Sequence, residues 1–430
     1  MNSEPLNVAI DAQVTPASAG GVAQVILGLV HALGRLQDDP SIHYKIVVAS
    51  EPEHDFLQSY LGKNQQFAIK RRRLTKRLQR LVTGAGKSIA RRLVDQDLNS
   101  EPFLPMSDGF LESLGCDVVH FPHQRFVSCN LPSIYNPHDL QHLHFPEFFA
   151  PSDLVRRDFV YRSGCQLART VAVSSRWVKE DIIQHYQVDP AKIQIIPWAP
   201  PTEAYKNPSS RDLDQVKQKY NLRKPFALYP AMTWPHKNHL RLLEALAILR
   251  DNHDLKLHLV CTGSLLEPYA SSIQKRVSGL GLTSQISFLG FVSDTDLRSI
   301  YRLSQFLVMP SLFESDSSPI YEAWLEGTPI VCSNVTSLPV QVMDAAVLFD
   351  PYDPVAIADA MRRVATDGNL RSDLSAYGYL RVKDYDWERT AKAYRAVYRR
   401  AAGRLLSEED RWLLEWDWME RPMRLVEAGA

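Results

Sequence analysis

The chain has 430 residues, 45% of them hydrophobic and 23% charged, with 49 basic and 49 acidic side chains. This length exceeds one ordinary core and fits two domains of a soluble globular protein. The zero formal charge supplies no global field for nucleic acid, which is not an expected partner. No apolar run approaches the roughly 20 residues that span a bilayer. Cys116, Cys129, Cys165, Cys261 and Cys332 are scattered, odd in number and without CxxC spacing. That usage fits reduced thiols in a cytosolic setting, not a disulfide framework or a zinc site. The polar N-terminus leads straight into a strand, so no signal peptide is expected.

Strands and helices alternate, which implies βαβ units and parallel sheets. The first strand is Asn7–Asp11, and its loop ends at Gly20-Gly21. A helix follows through Val25, Leu29 and Leu33, then a strand over Tyr44–Ala49. Residues 70–93 hold ten Lys or Arg and no acid, with Leu74, Leu78, Leu81 and Val82 at helical spacing. This basic amphipathic helix either binds an anionic membrane surface or lies on the first domain with its charged face in water. Thr83–Ser88 is not a P-loop, because Leu81 stands where the leading glycine belongs. Further strands read at Asp117–Phe121, Ser133–Tyr135, Thr170–Val173 and Lys192–Ile196. His120, His123, His138, His142 and His144 cluster in sequence, yet they straddle a strand and lack HExxH spacing, so no metal site is expected. Four prolines between Pro197 and Pro208 mark a linker between an N-terminal domain, 1–200, and a C-terminal domain, 209–385.

The second half repeats the pattern, with strands at Phe226, Leu257–Cys261, Ile286–Leu289, Phe306–Met309, Ile330–Cys332 and Val347–Phe349. The strand Pro225–Tyr229 is followed by Pro230–Asn238 and then by a helix through Leu240, Leu243, Leu246 and Ala247. Lys237 therefore lies at a strand-to-helix corner on the carboxyl edge of a sheet, where open α/β folds bind ligands. A lysine at a helix start works against the macrodipole, so a structural role explains it poorly; the alternative is a solvated side chain. Asp294-Thr295-Asp296 matches a DxD but precedes a helical pattern and reads as a helix N-terminus. The stretch Phe313–Ala323 places Glu314 and Glu322 eight residues apart, with a helix start between them. Ser317 or Ser318 can cap that helix, and Pro319 suits its first position. Free amides there favour an anion, and carboxylates favour hydroxyls, a combination suited to a phosphate-bearing sugar. The alternative is a charged helix start beside a surface loop. Asp386-Trp387-Glu388-Arg389-Thr390 opens a long final helix. Beyond it, Leu413, Leu414, Trp416 and Trp418 either pack on the first domain, the favoured reading, or touch a membrane or partner.

This ordered set resembles the retaining glycosyltransferases of family 4, which have the GT-B architecture. It comprises Gly20-Gly21, His138-Asp139 within Tyr135–Leu140, Val171–Ser175, Pro230–Asn238 and the Glu314/Glu322 pair, and it extends over most of residues 7 to 400. The resemblance implies an α/β fold of two Rossmann-like, doubly wound parallel-sheet domains facing a cleft, with the helix after residue 386 crossing back to complete the first domain. It implies a nucleotide-diphosphate sugar as donor (GDP-mannose as first guess), no cofactor and no metal. The acceptor would be a glycan or a lipid-pyrophosphate-linked glycan, with residues 70–93 on the acceptor side and the protein cytoplasmic or peripheral on the inner face of the membrane. Glu322 would take the ribose hydroxyls, and Glu314 those of the transferred sugar. Lys237 would neutralise the departing pyrophosphate with amides around Ser318, Pro319 and Ile320. Gly20 and Gly21 would let main chain approach the phosphates, and His138, oriented by Asp139, would contact the sugar.

Two positions depart from the family pattern. Ala231, Met232 and Thr233 occupy the span that commonly carries an arginine, with His236 as a partial substitute at neutral pH. Ser315-Asp316-Ser317-Ser318 replaces a glycine-rich turn, and Asp316 would repel a pyrophosphate unless it points away. The leading reading is a hexosyltransferase, mannose first, in cell-surface polysaccharide or glycolipid synthesis. A catalytically silent sugar-nucleotide-binding scaffold and a GT-B nucleotide-sugar epimerase are the alternatives.

Overall fold

The computed structural model describes residues 4–14, 20–36, 41–70, 102–200, 204–223 and 225–416. All of the basic segment except Lys70 lies outside them, as does Trp418. The chain divides into two compact units. The first comprises Met1–Val173, Val178–Ile196 and Ala391–Trp416; the second is built mainly from Pro197–Thr390.

The first unit holds a parallel sheet of β1 (Leu6–Asp11), β2 (Ile42–Val48), β3 (Gln65–Ile69), β4 (Val118–Phe121), β5 (Ser133–Tyr135), β6 (Thr170–Val173) and β7 (Ile193–Ile195). Their order is β3-β2-β1-β4-β5-β6-β7. β4, β5 and β6 are buried along their whole length, as expected of parallel strands covered on both faces. One cover is the helix Gly21–Arg35, whose Val25, Ile26, Leu29, Val30 and Leu33 are buried. Succession along the sheet reverses between β1 and β4, the kind of switch point at which doubly wound sheets take ligands.

The final helix, Trp387–Ala401, completes this unit through a buried polar chain. Tyr398 Oη lies 2.8 Å from His120 Nδ1, and His120 Nε2 lies 2.7 Å from Asn136 Oδ1. The Asn136 amide then donates to Tyr394 Oη at 2.7 Å. Burial lowers the His120 pKa to about 3. The neutral ring therefore donates from Nε2 to the asparagine carbonyl and accepts the tyrosine proton at Nδ1. Past this helix, Leu413 is buried while Trp412 and Trp416 pack ring to ring with centroids 4.9 Å apart.

The second unit holds β8 (Phe226–Pro230), β9 (His258–Thr262), β10 (Ile286–Phe288), β11 (Phe306–Met309), β12 (Ile330–Ser333) and β13 (Val347–Phe349) in the order β10-β9-β8-β11-β12-β13. Here the reversal falls between β8 and β11. Two parallel sheets of seven and six strands with flanking helices are the GT-B pattern expected of the sequence. The strands read from sequence recur with ends shifted by one or two residues. β3 has no counterpart in that reading, because Gln65-Gln66-Phe67-Ala68-Ile69 is a half-exposed edge strand without apolar alternation. Asp294 and Asp296 open the helix Asp294–Leu303, with Ser293 as the cap accepting from the Asp296 amide.

Beneath this sheet the fully buried Trp324 meets the helix Gly368–Val382 at Gly378, where a Cβ would lie 2.0 Å from the indole Cδ1. Overpacking of this kind costs about 1–3 kcal/mol. Gly378→Ala is therefore expected to lower the thermal unfolding midpoint by several degrees. Gly279→Ala, at a helix position with nothing within 4 Å of the added carbon, should leave it unchanged. Differential scanning calorimetry of the two variants checks the contrast.

Candidate active site

The loops leaving β8 and β11 start from adjacent strands on either side of the second switch point. After β8 the chain packs back on the β9 loop, then makes a single 3₁₀ turn, Pro235–Lys237. Asn238 follows in the left-handed region (φ 59°), and its side-chain Nδ2 donates to the carbonyls of Pro310 (2.9 Å) and Pro351 (2.8 Å). Tyr229 Oη donates to the Lys237 carbonyl at 2.6 Å, and the Leu312 amide to the His236 carbonyl at 2.7 Å. These bonds fix the corner against the β11 loop. Across it, Lys237 Nζ donates to Glu314 Oε1 at 2.6 Å, the side chains being 20% and 9% exposed. On the Glu314 side, Ser337 Oγ donates to the Glu314 carbonyl at 2.9 Å, and the Glu314 amide donates to Thr336 Oγ1. The two side chains singled out from sequence thus form one rigidly mounted, partly buried ion pair.

The helix start between the glutamates is less generous than the sequence suggests. The helix is Ser318–Leu325, with Pro319 in its second position. Ser317 occupies the cap position, but its hydroxyl makes no capping bond; its amide donates to Gln341 Oε1 and its carbonyl accepts from Gln341 Nε2. Pro319 has no N–H, and the Ile320 amide already donates to the Ser317 carbonyl at 3.1 Å. Ser318 is left to present a main-chain donor. The expectation of amides from Ser318 through Ile320 is corrected on this point: Pro319 and Ile320 shape the turn and do not supply donors.

Glu322 and Asp316 are held quite differently from Glu314. Glu322 Oε2 accepts from Tyr301 Oη at 2.9 Å, and burial raises its pKa to about 7 against that bond. Asp316 turns to Tyr321 and accepts from its hydroxyl at 2.8 Å. Burial raises its pKa to about 7 as well, partly offset by Tyr321 and by the amides of Ser317 and Trp198. The repulsion that Asp316 threatened is thereby softened, since the group sits inside the turn and is partly protonated near neutrality. Burial, then the neighbouring Lys237, push the His236 pKa well below its ordinary value, which disfavours a positive charge there in the arginine's place. Ala231–Thr233 serve packing instead, with Thr233 Oγ1 accepting from the Leu266 amide at 2.6 Å.

In the first unit, Gly20 precedes the helix Gly21–Arg35 with φ 52° and ψ −131°, a conformation open to glycine. A Cβ on Gly21 would meet nothing within 4 Å. His138 follows β5 with φ 68°, a strained setting of the kind found at functional positions. Burial lowers its pKa to about 4, and its Nε2 donates to the Pro122 carbonyl at 3.0 Å. The carbonyl of Pro122 is thus an orienting partner of His138, whereas Asp139 Oδ1 accepts from the Gln141 amide at 3.0 Å to start the short helix Gln141–His144. Sequence reasoning missed a third group at the β1/β4 switch point. The buried Asp11 accepts two bonds from Arg125 Nη2 (3.1 and 2.9 Å) and lies 3.5 Å from His123 Nε2. Burial raises the Asp11 pKa, but His123 and Arg125 outweigh it and hold the carboxyl well below the usual range. An acid at the carboxyl end of β1 is the one signal that could have pointed to it.

Comparison with known proteins places this pair of parallel α/β units among the glycosyltransferases. The profile for "Glycosyl transferases group 1" matches residues 210–381, and that for "Glycosyltransferase Family 4" matches residues 19–203. The chain is 30% identical over 267 residues to O-antigen chain mannosyltransferase B of Escherichia coli, covering 60% of this chain and 69% of that protein. It is 27% identical to O-antigen chain mannosyltransferase RfbU of Salmonella typhimurium, covering 58% of this chain and 65% of that one. The chain belongs to the group 1, family 4 glycosyltransferases. Among solved structures, Anabaena Alr3699/HepE in complex with UDP and glucose shares the fold with a TM-score of 0.66 at 16% identity, covering 91% of this chain and 99% of that one.

The two raised carboxyls give a pH signature. Asp316 and Glu322 bind protons more tightly in the folded chain than at their ordinary values of 3.8 and 4.5. Their contribution to stability is full below about pH 4, falls as pH rises towards about 7, and is constant beyond. Each tenfold gain in proton affinity on folding corresponds to about 1.4 kcal/mol across that window. Asp316→Asn is expected to match the parent at pH 4 and to exceed it in stability at pH 8, measured by urea unfolding across that range.

Proposed function

We propose that this chain transfers a hexose, mannose in the first instance, from a nucleotide-diphosphate sugar to a glycan or lipid-linked glycan of the O-antigen type. The observation that carries this reading is the Lys237–Glu314 pair at the sheet reversal, with Glu322 on the helix that follows. A lysine ammonium has three donors, so Lys237 can keep Glu314 and still meet a phosphate oxygen. Its charge then stabilises the negative charge that grows on the leaving nucleoside diphosphate, where preorganised electrostatics act most strongly. Held by Lys237, Glu314 accepts hydroxyl protons of the transferred sugar, and Glu322 binds the ribose. By family resemblance, Gly20 and Gly21 serve the phosphates and His138 the sugar. Attack from the face of the departing phosphate retains the anomeric configuration, and no added metal enters the step. The names of the relatives support mannose and an acceptor of the O-antigen type; GDP-mannose as donor and residues 70–93 as the contact with an anionic membrane surface rest on the family resemblance and on the basic sequence alone.

The test is a thermal-shift panel of GDP-mannose, GDP-fucose, UDP-glucose, UDP-galactose, UDP-N-acetylglucosamine and dTDP-rhamnose, followed by transfer assays with the donor that binds. GDP-mannose is expected to raise the midpoint by mass action. Lys237→Ala should abolish that shift and lower kcat/KM by about 100-fold or more. NMR of the product should show the donor's anomeric configuration, and added Mg²⁺ should leave the rate unchanged. The silent-scaffold reading draws on the lowered pKa of His236 and on the packed Thr233 in the arginine's place. Donor binding without transfer to any acceptor would favour it, and an epimerised nucleotide sugar would favour the epimerase.

A further inference from the structure

We propose that His144, Asp181 and His185 form a binding site for a divalent transition metal of the zinc type in the first unit. Asp181 and His185 lie one turn apart on the helix Arg176–Tyr186, and so share a face. His144 ends the short helix Gln141–His144 and approaches that face. His144 Nε2 lies 2.8 Å and His185 Nδ1 3.0 Å from the same oxygen, Asp181 Oδ1. One ligand atom from each residue lies within 4.8 Å of the others, and the two imidazoles meet edge to face with centroids 5.4 Å apart. No other group of three such side chains converges in this way among the described residues.

A second observation points to a ligand. The Asp181 side chain is 4% exposed, and its Oδ2 is buried without a hydrogen-bond partner. Buried carboxylate oxygens are rarely left so. The two imidazoles above it are each about one-third exposed (29% and 32%), which leaves an entry path for an ion and room for a water as fourth ligand. Two histidines and a carboxylate are a donor set for zinc and its first-row neighbours. Tetrahedral bonds of about 2.0–2.2 Å keep ligand atoms about 3.4 Å apart. The rings therefore need to withdraw from Asp181 Oδ1 by about half an ångström, and their two nitrogens, within 4.8 Å of each other, to take up that spacing, with the ion taking the place of the shared protons. The other histidines of the sequence cluster have partners elsewhere: His120 with Asn136, His123 beside Asp11, His138 with Pro122 and His142 near Tyr186. The site was invisible in sequence because its members come from two helices and only His144 belongs to that cluster.

The full-length protein, freed of metal by dialysis against chelator, is titrated with Zn²⁺ in competition with a chromophoric chelator, and separately with Co²⁺. One equivalent should bind, raise the thermal midpoint and, as Co²⁺, give visible absorption bands without a thiolate charge-transfer band. His144→Gln and His185→Gln should each weaken binding by more than about 100-fold, beyond what loss of a group that only orients a ligand costs. His54→Gln, at a surface histidine, should bind like the parent. Both ligand side chains are partly exposed, so the variants are expected to fold, with circular dichroism as the check. Absence of saturable binding in the parent, binding by the two ligand variants equal to the parent's, or a thiolate band would each overturn the proposal.

Discussion

The ion pair of Lys237 with Glu314 depends on a feature of topology, the reversal of strand succession between β8 and β11. Loops from neighbouring parallel strands leave the sheet at the same edge, and where succession reverses their connecting helices diverge and leave the edge open. Lys237 and Glu314 are both mounted there, and the surrounding hydrogen bonds act on the main chain that carries them. Asn238 in its left-handed conformation ties the lysine corner to two other loops. Thr336 and Ser337 hold the glutamate loop. Partly buried opposite charges are weak evidence for stability, because desolvation offsets their attraction. Here the pair is better understood as a preset arrangement of charge, held in place by the main-chain bonds around it.

Three carboxyl groups cluster within nine residues of sequence, and the fold gives them different electrostatic characters. Glu314 is matched by an ammonium. Asp316 and Glu322 instead accept from tyrosine hydroxyls in half-buried settings that bring their pKa values to about 7. A region that reads as strongly acidic in sequence therefore carries much less negative charge when folded. On the proposed function, this lessens the repulsion that Asp316 would otherwise offer an anionic donor at the same turn.

The alternation of strands and helices, and the strand-end corners that carry Lys237 and Glu314, were legible because each rests on local pattern: apolar runs and a lysine placed against the helix dipole. What escaped rests on contacts distant in sequence. Asp11 acquires its meaning from Arg125, 114 residues away. Asp181 acquires its meaning from His144 on another helix. β3 carries too little apolar signal because one side of it has no neighbouring strand. The Ser318–Ile320 amides were overestimated for the opposite reason: a sequence locates a helix start but does not show that Gln341 and the Ser317 carbonyl already occupy its donors and acceptors.

The tyrosines of the last long helix have a consequence for the order in which the chain matures. His120 and Asn136, deep in the first sheet, find hydrogen-bond partners in Tyr394 and Tyr398. On the ribosome those tyrosines are made only after the whole of 197–390. The N-terminal half therefore emerges with a polar seam in its interior that is only half satisfied: His120 Nε2 has Asn136 Oδ1, while His120 Nδ1 and the Asn136 side-chain NH2 still lack their tyrosines. Vectorial synthesis, which ordinarily lets the leading domain close first, here favours the trailing one: the second sheet is complete while the first still waits for its closing helix.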